Sequence, residues 1–304
     1  MTLARQWRGQ RPFEEVWFLE ALLGPDHGLW IRYVLDATAG TASVWALVVG
    51  RTGVIAAHRE TVPIGTIGGV LFSGGAGRLE RDVAVGKAGS IAWDLRLDDR
   101  GLRHNHVPMW MRMAGLGRVY APAALDLRIA GTVRVGDREF AVEAGPGVLG
   151  HLWGARSGTR TWAWAHCNAF DREDLVFEGI SAYPKGVGPA TSLVLYADGH
   201  AYTFSRTRDL FRTWSRFSKT GWSWVFEARR DGRVLTGRIE LEPEAAATVH
   251  YARADGPDLY CTNSRFAHAR IVLRDERRGL DLDLQSRECA FEIASPDRVL
   301  PAVL

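Results

Sequence analysis

The stretch Ser90–Asp98 reads SIAWDLRLD and places an apolar side chain at every second position. Successive side chains of a β-strand point to opposite faces, so this alternation predicts a strand with one buried face and one exposed face. The next residues, Asp99-Arg100-Gly101, have the composition of a turn. The same period of two, broken by turn residues, recurs along most of the chain and decides the fold class.

Further segments are strand-like, some alternating and some continuously apolar: Val16–Leu19, Gly28–Asp36, Ser43–Val49, Thr161–Asn168, Leu175–Tyr183, Ser192–Tyr196, Ala201–Ser205, Ser223–Ala228, Val234–Leu241, Thr248–Ala252, Arg270–Leu273 and Leu282–Leu284. Thr132–Val135 and Arg138–Val142, separated by Gly136-Asp137, predict a hairpin with a two-residue turn. Arg208–Phe217 is the one segment that predicts a helix. Many short strands joined by turns indicate an all-β protein built from antiparallel barrels or sandwiches.

The second half of the chain repeats the order of the first. Trp17–Gly50 and Trp164–Gly199 each run strand, loop, strand, loop, apolar strand and glycine. Later in each half, Ile91–Arg96 is echoed by Ser223–Arg229, and both are followed by an Asp/Gly/Arg turn. Such an internal repeat indicates two structurally similar units.

Length and composition agree with this organisation. A chain of 304 residues is long enough for two domains, and 46% hydrophobic with 24% charged residues is typical of globular proteins. The segment Gly145–Gly150 has the composition of a linker. We therefore predict two similar β domains, residues 1–150 and 151–304, with chance similarity between two β-rich halves as the alternative.

Charge and cysteine content argue against several classes of partner. The net charge is +3 and the arginines are scattered instead of clustered, which disfavours nucleic-acid binding. Cys167, Cys261 and Cys289 are far apart, and no pair has metal-ligand spacing. No stretch reaches the about 18 apolar residues of a membrane span, and the polar N-terminus lacks a secretory core. We expect a cytoplasmic protein without a metal or another cofactor.

Familiar catalytic motifs do not occur in the sequence. Gly65–Gly69 and Gly74–Gly77 are glycine-rich, but no helix pattern follows either, so mobile loops are favoured over a phosphate site. His104 and His106 have the spacing of two metal ligands on one strand face. Neither a carboxylate nor a cysteine lies near them in the sequence, which favours solvated loop histidines.

Twelve tryptophans suggest thick β cores or a wide cavity lined by rings. In a strand over residues 161–168, Trp162, Trp164, His166 and Asn168 share one face. Histidine and asparagine on a buried face need hydrogen bonds, and Glu178 in the next strand is a candidate partner. The pattern fits an apolar pocket with a proton donor at one end, and it fits a satisfied polar cluster in the core equally well.

The same region resembles a known family signature. WAWAHCNAF at Trp162–Phe170, preceded by Trp153-Gly154, is similar to the signature of plant and cyanobacterial tocopherol cyclases. GHLWG at Gly150–Gly154 and GLWIRY at Gly28–Tyr33 resemble the bacterial proteins grouped with those cyclases and with carotenoid 1,2-hydratase (hydroxyneurosporene synthase). The order of these landmarks fits nearly the whole chain.

The resemblance implies two tandem lipocalin-like β domains and apolar ligands such as isoprenoids and polyenes. It implies protonation of an alkene followed by ring closure or water capture. Fungal enzymes of similar architecture catalyse Diels–Alder-type cyclisations of polyketide polyenes, with the ligand between the two domains. Where the tocopherol cyclases have a glutamine and the carotenoid hydratases an aspartate, this chain has His166. An imidazole suits acid/base work on a heteroatom better than protonation of an alkene.

These observations predict a cofactor-free enzyme that binds an apolar polyene or isoprenoid-type small molecule and catalyses acid/base-assisted cyclisation, hydration or isomerisation. We assign His166 as the acid/base and Asn168 and His151 as its orienting partners. Glu178 and Asp94 are the candidate sources of a stronger acid. The aromatic residues expected to bind the substrate are Trp153, Trp162, Trp164, Tyr33, Trp93 and Trp224.

Other functions stay open. A non-catalytic lipid or pigment carrier would use the same cavity without turnover, and the missing motif carboxylate favours it. A pericyclase would act on a polyketide polyene, and a structural interaction protein would expose its tryptophans. The segment Arg208–Phe217 combines arginines with large apolar residues, which is compatible with peripheral membrane contact. A helix that plugs a barrel mouth is the favoured interpretation.

Overall fold

Residues 4–113, 118–155, 161–183, 189–218, 220–252 and 257–304 are described by the computed structural model of the chain. Within them the chain forms two antiparallel β-sheets, of 11 and 10 strands, and only short helices. The all-β class predicted from the alternating pattern is therefore confirmed. No helix in this part of the chain is both long enough and apolar enough to cross a membrane.

The first sheet and its helices come from the first half of the chain. Its strands are β1 Glu14–Leu22, β2 His27–Asp36, β3 Thr41–Gly50, β4 Gly53–Pro63, β5 Phe72–Gly74, β6 Gly77–Leu79, β7 Val83–Ala88, β8 Ile91–Asp99, β9 Val119–Tyr120, β10 Ala124–Val135 and β11 Arg138–Gly154. A 3-10 turn spans Ile64–Thr66, and helix α1 spans Met109–Met113. Val135 pairs with Arg138, which confirms the hairpin with its two-residue turn.

The second sheet comes from the second half. Its strands are β12 Trp162–Cys167, β13 Val176–Ala182, β14 Ala190–Ala197, β15 His200–Phe204, β16 Trp214–Ser218, β17 Ser223–Arg230, β18 Arg233–Glu240, β19 Ala246–Tyr251, β20 Leu259–Asp275 and β21 Leu280–Ser295. Helix α2 spans Thr207–Arg212, and a 3-10 turn spans Pro243–Ala245.

In both sheets the first strand pairs with the last. The first sheet runs β4-β3-β2-β1-β11-β10-β8-β7-β6-β5, with β9 paired to β11. The second runs β15-β14-β13-β12-β21-β20-β18-β17-β16, with β19 paired to β20. The orders correspond outward from β1 and β12, so the similarity between 17–50 and 164–199 lies on equivalent strands. The predicted similarity between Ile91–Arg96 and Ser223–Arg229 does not fall on equivalent strands. Ile91–Arg96 lies in β8, which holds the same place in the first sheet as β18 in the second, whereas Ser223–Arg229 lies in β17.

The chain divides into two compact units. The first contains Met1–Gly50, Val54–Asn105 and Met109–Ser157; the second contains Arg51–Gly53, His106–Pro108 and Gly158–Leu304. Each unit has its own apolar core. The first core is built from side chains such as Trp17, Ile31, Tyr33, Trp93 and Leu95. The second is built from side chains such as Ala165, Cys167, Phe177, Trp224 and Phe226. Burying one large apolar side chain contributes about 1.5–3 kcal/mol, so each unit has a substantial core of its own.

The glycine-rich segment Gly145–Gly150 is part of strand β11 and not a linker. Its glycines are required by close neighbours. A Cβ at Gly147 would lie 2.5 Å from the carbonyl oxygen of Glu20, and a Cβ at Gly150 would lie 2.1 Å from the ring of Phe18. The composition that suggests a flexible joint therefore marks close packing between strands instead.

Two further local predictions are corrected. Helix α2 ends at Arg212, and Trp214 begins strand β16, so Arg208–Phe217 is not one helix. Gly74 and Gly77 pair with each other across the β5–β6 hairpin, so that glycine run is a tight turn and not a mobile loop. Alternating arginines and aromatics follow a helical and a strand pattern equally in so short a segment, which explains the first error.

Candidate functional site

A buried polar cluster occupies one face of strands β12, β13 and β14 in the second unit. Alternate β12 residues Ala163, Ala165 and Cys167 point into the apolar core. Trp164 and His166 therefore point to the opposite face, as predicted from the period of two. His166 pairs across the strands with Glu178 of β13. The side chains of His166 and Glu178 are 0% exposed, so a strongly polar set is held out of water.

Within the described part of the chain, neither ring nitrogen of His166 has a hydrogen-bond partner. Burial lowers the His166 pKa to about 4. The Glu178 carboxylate and the Asn168 amide oppose this shift, and the Arg265 guanidinium adds to it. The imidazole is therefore neutral at pH 7. A neutral imidazole carries one donor and one acceptor, and apart from the Asn168 amide that acts on the ring, no described side chain competes with a ligand for them.

Glu178 is held by two donors. Its Oε1 accepts the indole N–H of Trp164 at 3.0 Å, and its Oε2 lies 2.8 Å from Nε2 of His106. The Nδ1 of His106 in turn lies 2.8 Å from Oγ of Ser192. A buried carboxylate is costly unless it is hydrogen-bonded, and these contacts meet that requirement.

His104 and His106 are not solvated loop histidines. Both are buried, and His106 is only 2% exposed. Both ring nitrogens of His106 are occupied by Ser192 and Glu178. Among the described residues, no group of three His, Cys, Asp or Glu side chains is arranged to hold a metal ion. Of the two histidines, His106 therefore belongs to the buried polar cluster.

A buried positive charge lies close to this cluster. Arg265 of β20 is 2% exposed, and its Nη1 donates to the carbonyl oxygen of Glu288 at 2.7 Å. The register of β20 against β21 is irregular between Ser264 and Ala267. Such bulges redirect a side chain locally. The Arg265 guanidinium lowers the pKa of His166, because a nearby positive charge disfavours the imidazolium.

His151 belongs to a different cluster, inside the first unit. Its Nε2 lies 2.8 Å from Oε1 of Glu15, and its ring stacks on Trp17 at 5.0 Å and against Trp153 at 4.4 Å. Glu15 also accepts the backbone N–H groups of Gln6 and Trp7 at 2.7 and 2.8 Å. The Glu15 carboxylate is therefore fully hydrogen-bonded, whereas the buried indole N–H of Trp17 has no partner among the described residues.

The remaining sequence candidates are distributed over both units. Asp94 is exposed on β8, with its neighbours Trp93 and Leu95 in the first core. The indole N–H of Trp93 donates to the hydroxyl of Tyr33 at 3.0 Å inside that core. Trp224 lies in the second core and donates to Ser215 Oγ at 2.8 Å. The structure therefore gathers Trp164, His166, Asn168 and Glu178. Trp162 lies on the same face of β12, where its indole N–H donates to Glu292 Oε2 at 3.3 Å. The other candidates lie elsewhere.

Three members of the cluster escape sequence reasoning: His106, Ser192 and Arg265. His106 lies 72 positions from Glu178, and only the folded chain brings the two together. Ser192 is an ordinary strand residue in the sequence. The one feature of the sequence that points to His106 is the pair His104 and His106, because two closely spaced histidines in a loop indicate a functional or structural role.

The fold and the cluster define a two-domain lipocalin-like β protein whose second unit carries buried titratable groups. No protein-family model matches the chain. The fold is shared with an AttH-like protein from Nitrosomonas europaea, at 12% identity and a TM-score of 0.55 over 92% of each chain. It is shared with CghA crystallised with Sch210972, at 11% identity and a TM-score of 0.56 over 94% of this chain and 90% of that one.

Kievitone hydratase from Nectria haematococca also shares the fold, at 8% identity and a TM-score of 0.51 over 93% of this chain and 88% of that one. The resemblance to the hydratase group is thereby confirmed at the level of the tandem lipocalin-like fold. In sequence, two uncharacterized proteins of Mycobacterium tuberculosis, strains CDC 1551 and H37Rv, are each 27% identical over 201 residues. The match covers 62% of this chain and 57% of theirs, so the chain spans little more than half of these relatives.

Proposed function

We propose that the protein is a cofactor-free enzyme that binds an apolar polyene or isoprenoid-type molecule against the face of Trp164, His166 and Glu178. Its reaction is an acid/base-assisted cyclisation, hydration or isomerisation. The observation that carries the proposal is the fully buried imidazole of His166, whose two nitrogens have no hydrogen-bond partner among the described residues.

An unsatisfied buried polar group costs about 1–3 kcal/mol, and a fold that retains one has a reason to keep it. A ligand carbonyl or hydroxyl would satisfy the N–H of His166, and a ligand hydroxyl would satisfy its second nitrogen. With a pKa of about 4 the ring is not an imidazolium acid at neutral pH. We therefore assign His166 to orienting and polarising an oxygen of the substrate, in place of donating a proton to an alkene.

Proton transfer is assigned to Glu178 and His106. The two groups are 2.8 Å apart and buried, so a proton moves between them without passing through solvent. The pair gives a proton to the substrate and recovers one from the attacking hydroxyl or water, which leaves the enzyme unchanged after each turnover. The indole of Trp164 stabilises developing positive charge by about 0.5–2 kcal/mol through its π face.

The structural relatives supply analogies for this proposal. One of them was crystallised with a small molecule, and another is named as a hydratase. A shared fold carries no reaction with it, so the assignment depends on the cluster in this chain. A pericyclase is the second candidate, favoured by the neutral His166, because hydrogen bonding to a carbonyl suffices for that reaction. A carrier would bind the same ligand and return it unchanged.

Untargeted mass spectrometry separates these functions. An apolar cell extract is incubated with the wild-type protein, with His166→Asn, and with His200→Asn as a control at an exposed histidine. A new isobaric product with wild type and the control, but not with His166→Asn, identifies a cyclase, isomerase or pericyclase. A product heavier by one water identifies a hydratase. A compound that the wild type and both variants retain unchanged would overturn the catalytic assignment and identify a carrier.

A further inference from the structure

Ser192, His106 and Glu178 form a continuous hydrogen-bonded chain. Ser192 Oγ lies 2.8 Å from His106 Nδ1, and His106 Nε2 lies 2.8 Å from Glu178 Oε2. All three side chains are at most 2% exposed. A hydroxyl, an imidazole and a carboxylate in this order are the three components of an activated serine nucleophile.

Two strands and a separate segment hold the three groups in place. Ser192 of β14 pairs with Ile180 of β13, so Ser192 and Glu178 lie on the same face of neighbouring strands. His106 bridges them from the segment His106–Pro108, which belongs to the same compact unit. Trp164 fixes the other carboxylate oxygen at 3.0 Å, which aims Oε2 at the imidazole. Glu178 thus orients the base His106, and Trp164 in turn orients Glu178.

A second hydroxyl cluster, on the opposite face of the same strands, provides a contrast. Ser181 Oγ lies 2.8 Å from Thr191 Oγ1, and Ser215 donates to Ser181 at 2.9 Å. These hydroxyls satisfy one another, as buried polar groups ordinarily do. Ser192 follows Thr191 in the same strand, but it is hydrogen-bonded to His106, which is itself hydrogen-bonded to Glu178.

We propose that Ser192, His106 and Glu178 are a nucleophilic triad that gives this unit acyl-transfer activity towards esters of apolar carboxylic acids. Ser192 Oγ forms a bond to the ester carbonyl carbon while its proton passes to His106 Nδ1, and Glu178 stabilises the imidazolium. The C–O bond to the alcohol breaks, and the alcohol leaves with the proton from His106. Water then attacks the acyl-enzyme by the same route and releases the acid.

The apolar preference follows from the neighbours on this face. Val194, the cross-strand partner of Glu178, and Trp164 are buried there. The activity goes beyond the cyclisation or hydration proposed above, because it needs neither a polyene nor His166. It shares Glu178 and His106 with that proposal, so the two proposals are tested with different probes.

The test is covalent labelling by an alkyl fluorophosphonate, in which a Ser O–P bond forms and the P–F bond breaks. We expect one phosphonyl mass increment, mapped to Ser192 by peptide mass spectrometry, and release of p-nitrophenolate from p-nitrophenyl hexanoate. Ser192→Ala abolishes the label, and His106→Gln slows labelling by about 100-fold or more. Ser181→Ala, a matched buried serine without a histidine, is labelled like the wild type.

Absence of label on the wild-type protein, while a known serine esterase in the same tube is labelled, would overturn the triad. A label on any residue other than Ser192 would overturn it as well. Peptide mapping of the wild-type protein decides the question even if Ser192→Ala fails to fold. Because no polyene is present, failure of the labelling leaves the proposed cyclisation or hydration to its own test.

Discussion

The indole of Trp164 donates its N–H to Glu178 Oε1 at 3.0 Å and at the same time lies parallel to the ring of His166, with the centroids 6.2 Å apart. Trp164 therefore contacts both residues: it hydrogen-bonds Glu178 and stacks on His166. The Glu178 carboxylate in turn raises the pKa of His166. This effect of the carboxylate can be measured.

Replacing Glu178 by Gln is expected to lower the His166 pKa further, because the carboxylate favours the imidazolium. Replacing Arg265 by Met is expected to raise the His166 pKa towards its ordinary value, because the guanidinium opposes the imidazolium. Both shifts are read from the imidazole C–H resonances in an NMR pH titration. A pKa that is unchanged in both variants would show that neither charge acts on His166.

The stability of the protein should depend on pH through His166. Its pKa is about 4 in the folded state and near its ordinary value of 6.5 in the unfolded state. Between these values the unfolded chain binds more protons, so the free energy of unfolding falls as the pH is lowered from 6.5 to 4. The loss is on the order of 3 kcal/mol. Urea unfolding of wild type and His166→Leu across this range isolates the effect, since the variant lacks it.

At pH 7 the same His166→Leu variant is expected to be as stable as the wild type, or more stable by up to about 2 kcal/mol, because an unsatisfied imidazole is replaced by an apolar side chain. Turnover should be lost in the variant. Stability by urea unfolding and product formation by mass spectrometry are compared on one preparation. Marked destabilisation of the variant would indicate that His166 serves the fold.

In the first unit, Glu15→Ala is expected to lower the free energy of unfolding by about 3 kcal/mol, because it leaves a buried histidine without its carboxylate. It also removes the acceptor of two backbone N–H groups, at Gln6 and Trp7. Glu15→Gln retains an acceptor and should recover part of the loss. Thermal unfolding checks both variants, and equal stability of Glu15→Ala and wild type would contradict the contacts.

Gly150→Ala is expected to destabilise the protein by about 1–3 kcal/mol, because the added carbon overlaps the ring of Phe18. Gly65→Ala is the matched control, since nothing lies within 4 Å of its added carbon. Chemical unfolding of both variants measures the difference. A Gly150→Ala protein as stable as the control would show that strand β1 adjusts freely.

The sequence reveals strands wherever one face is buried and the other exposed. Strand β8 is the clearest case, with exposed Asp94 between buried Trp93 and Leu95. The edge strand β4, Gly53–Pro63, is mostly polar and exposed, so no apolar alternation marks it. Gly145–Gly150 is misjudged because close packing and chain flexibility both select glycine. Local composition does not separate these two causes.

For the candidate site, strand alternation correctly places Trp164 and His166 on one face and Glu178 opposite them. It misses His106, because a contact over 72 positions depends on how strands from distant parts of the chain are arranged. For the same reason the sequence assigns His151 to His166, when its actual partner is Glu15. Contacts between neighbouring strands are local enough to infer from a pattern, and contacts made by a separate segment are not.

The pairing of first strand with last in each sheet has a consequence for synthesis on the ribosome. Strand β12 ends at Cys167, but its neighbour β21 begins only at Leu280. At ribosomal rates this interval is on the order of ten seconds, during which one edge of β12 has no native partner. An exposed strand edge is open to mispairing with other chains. The second unit therefore exposes this strand edge for longer during synthesis than a sheet built only from hairpins would.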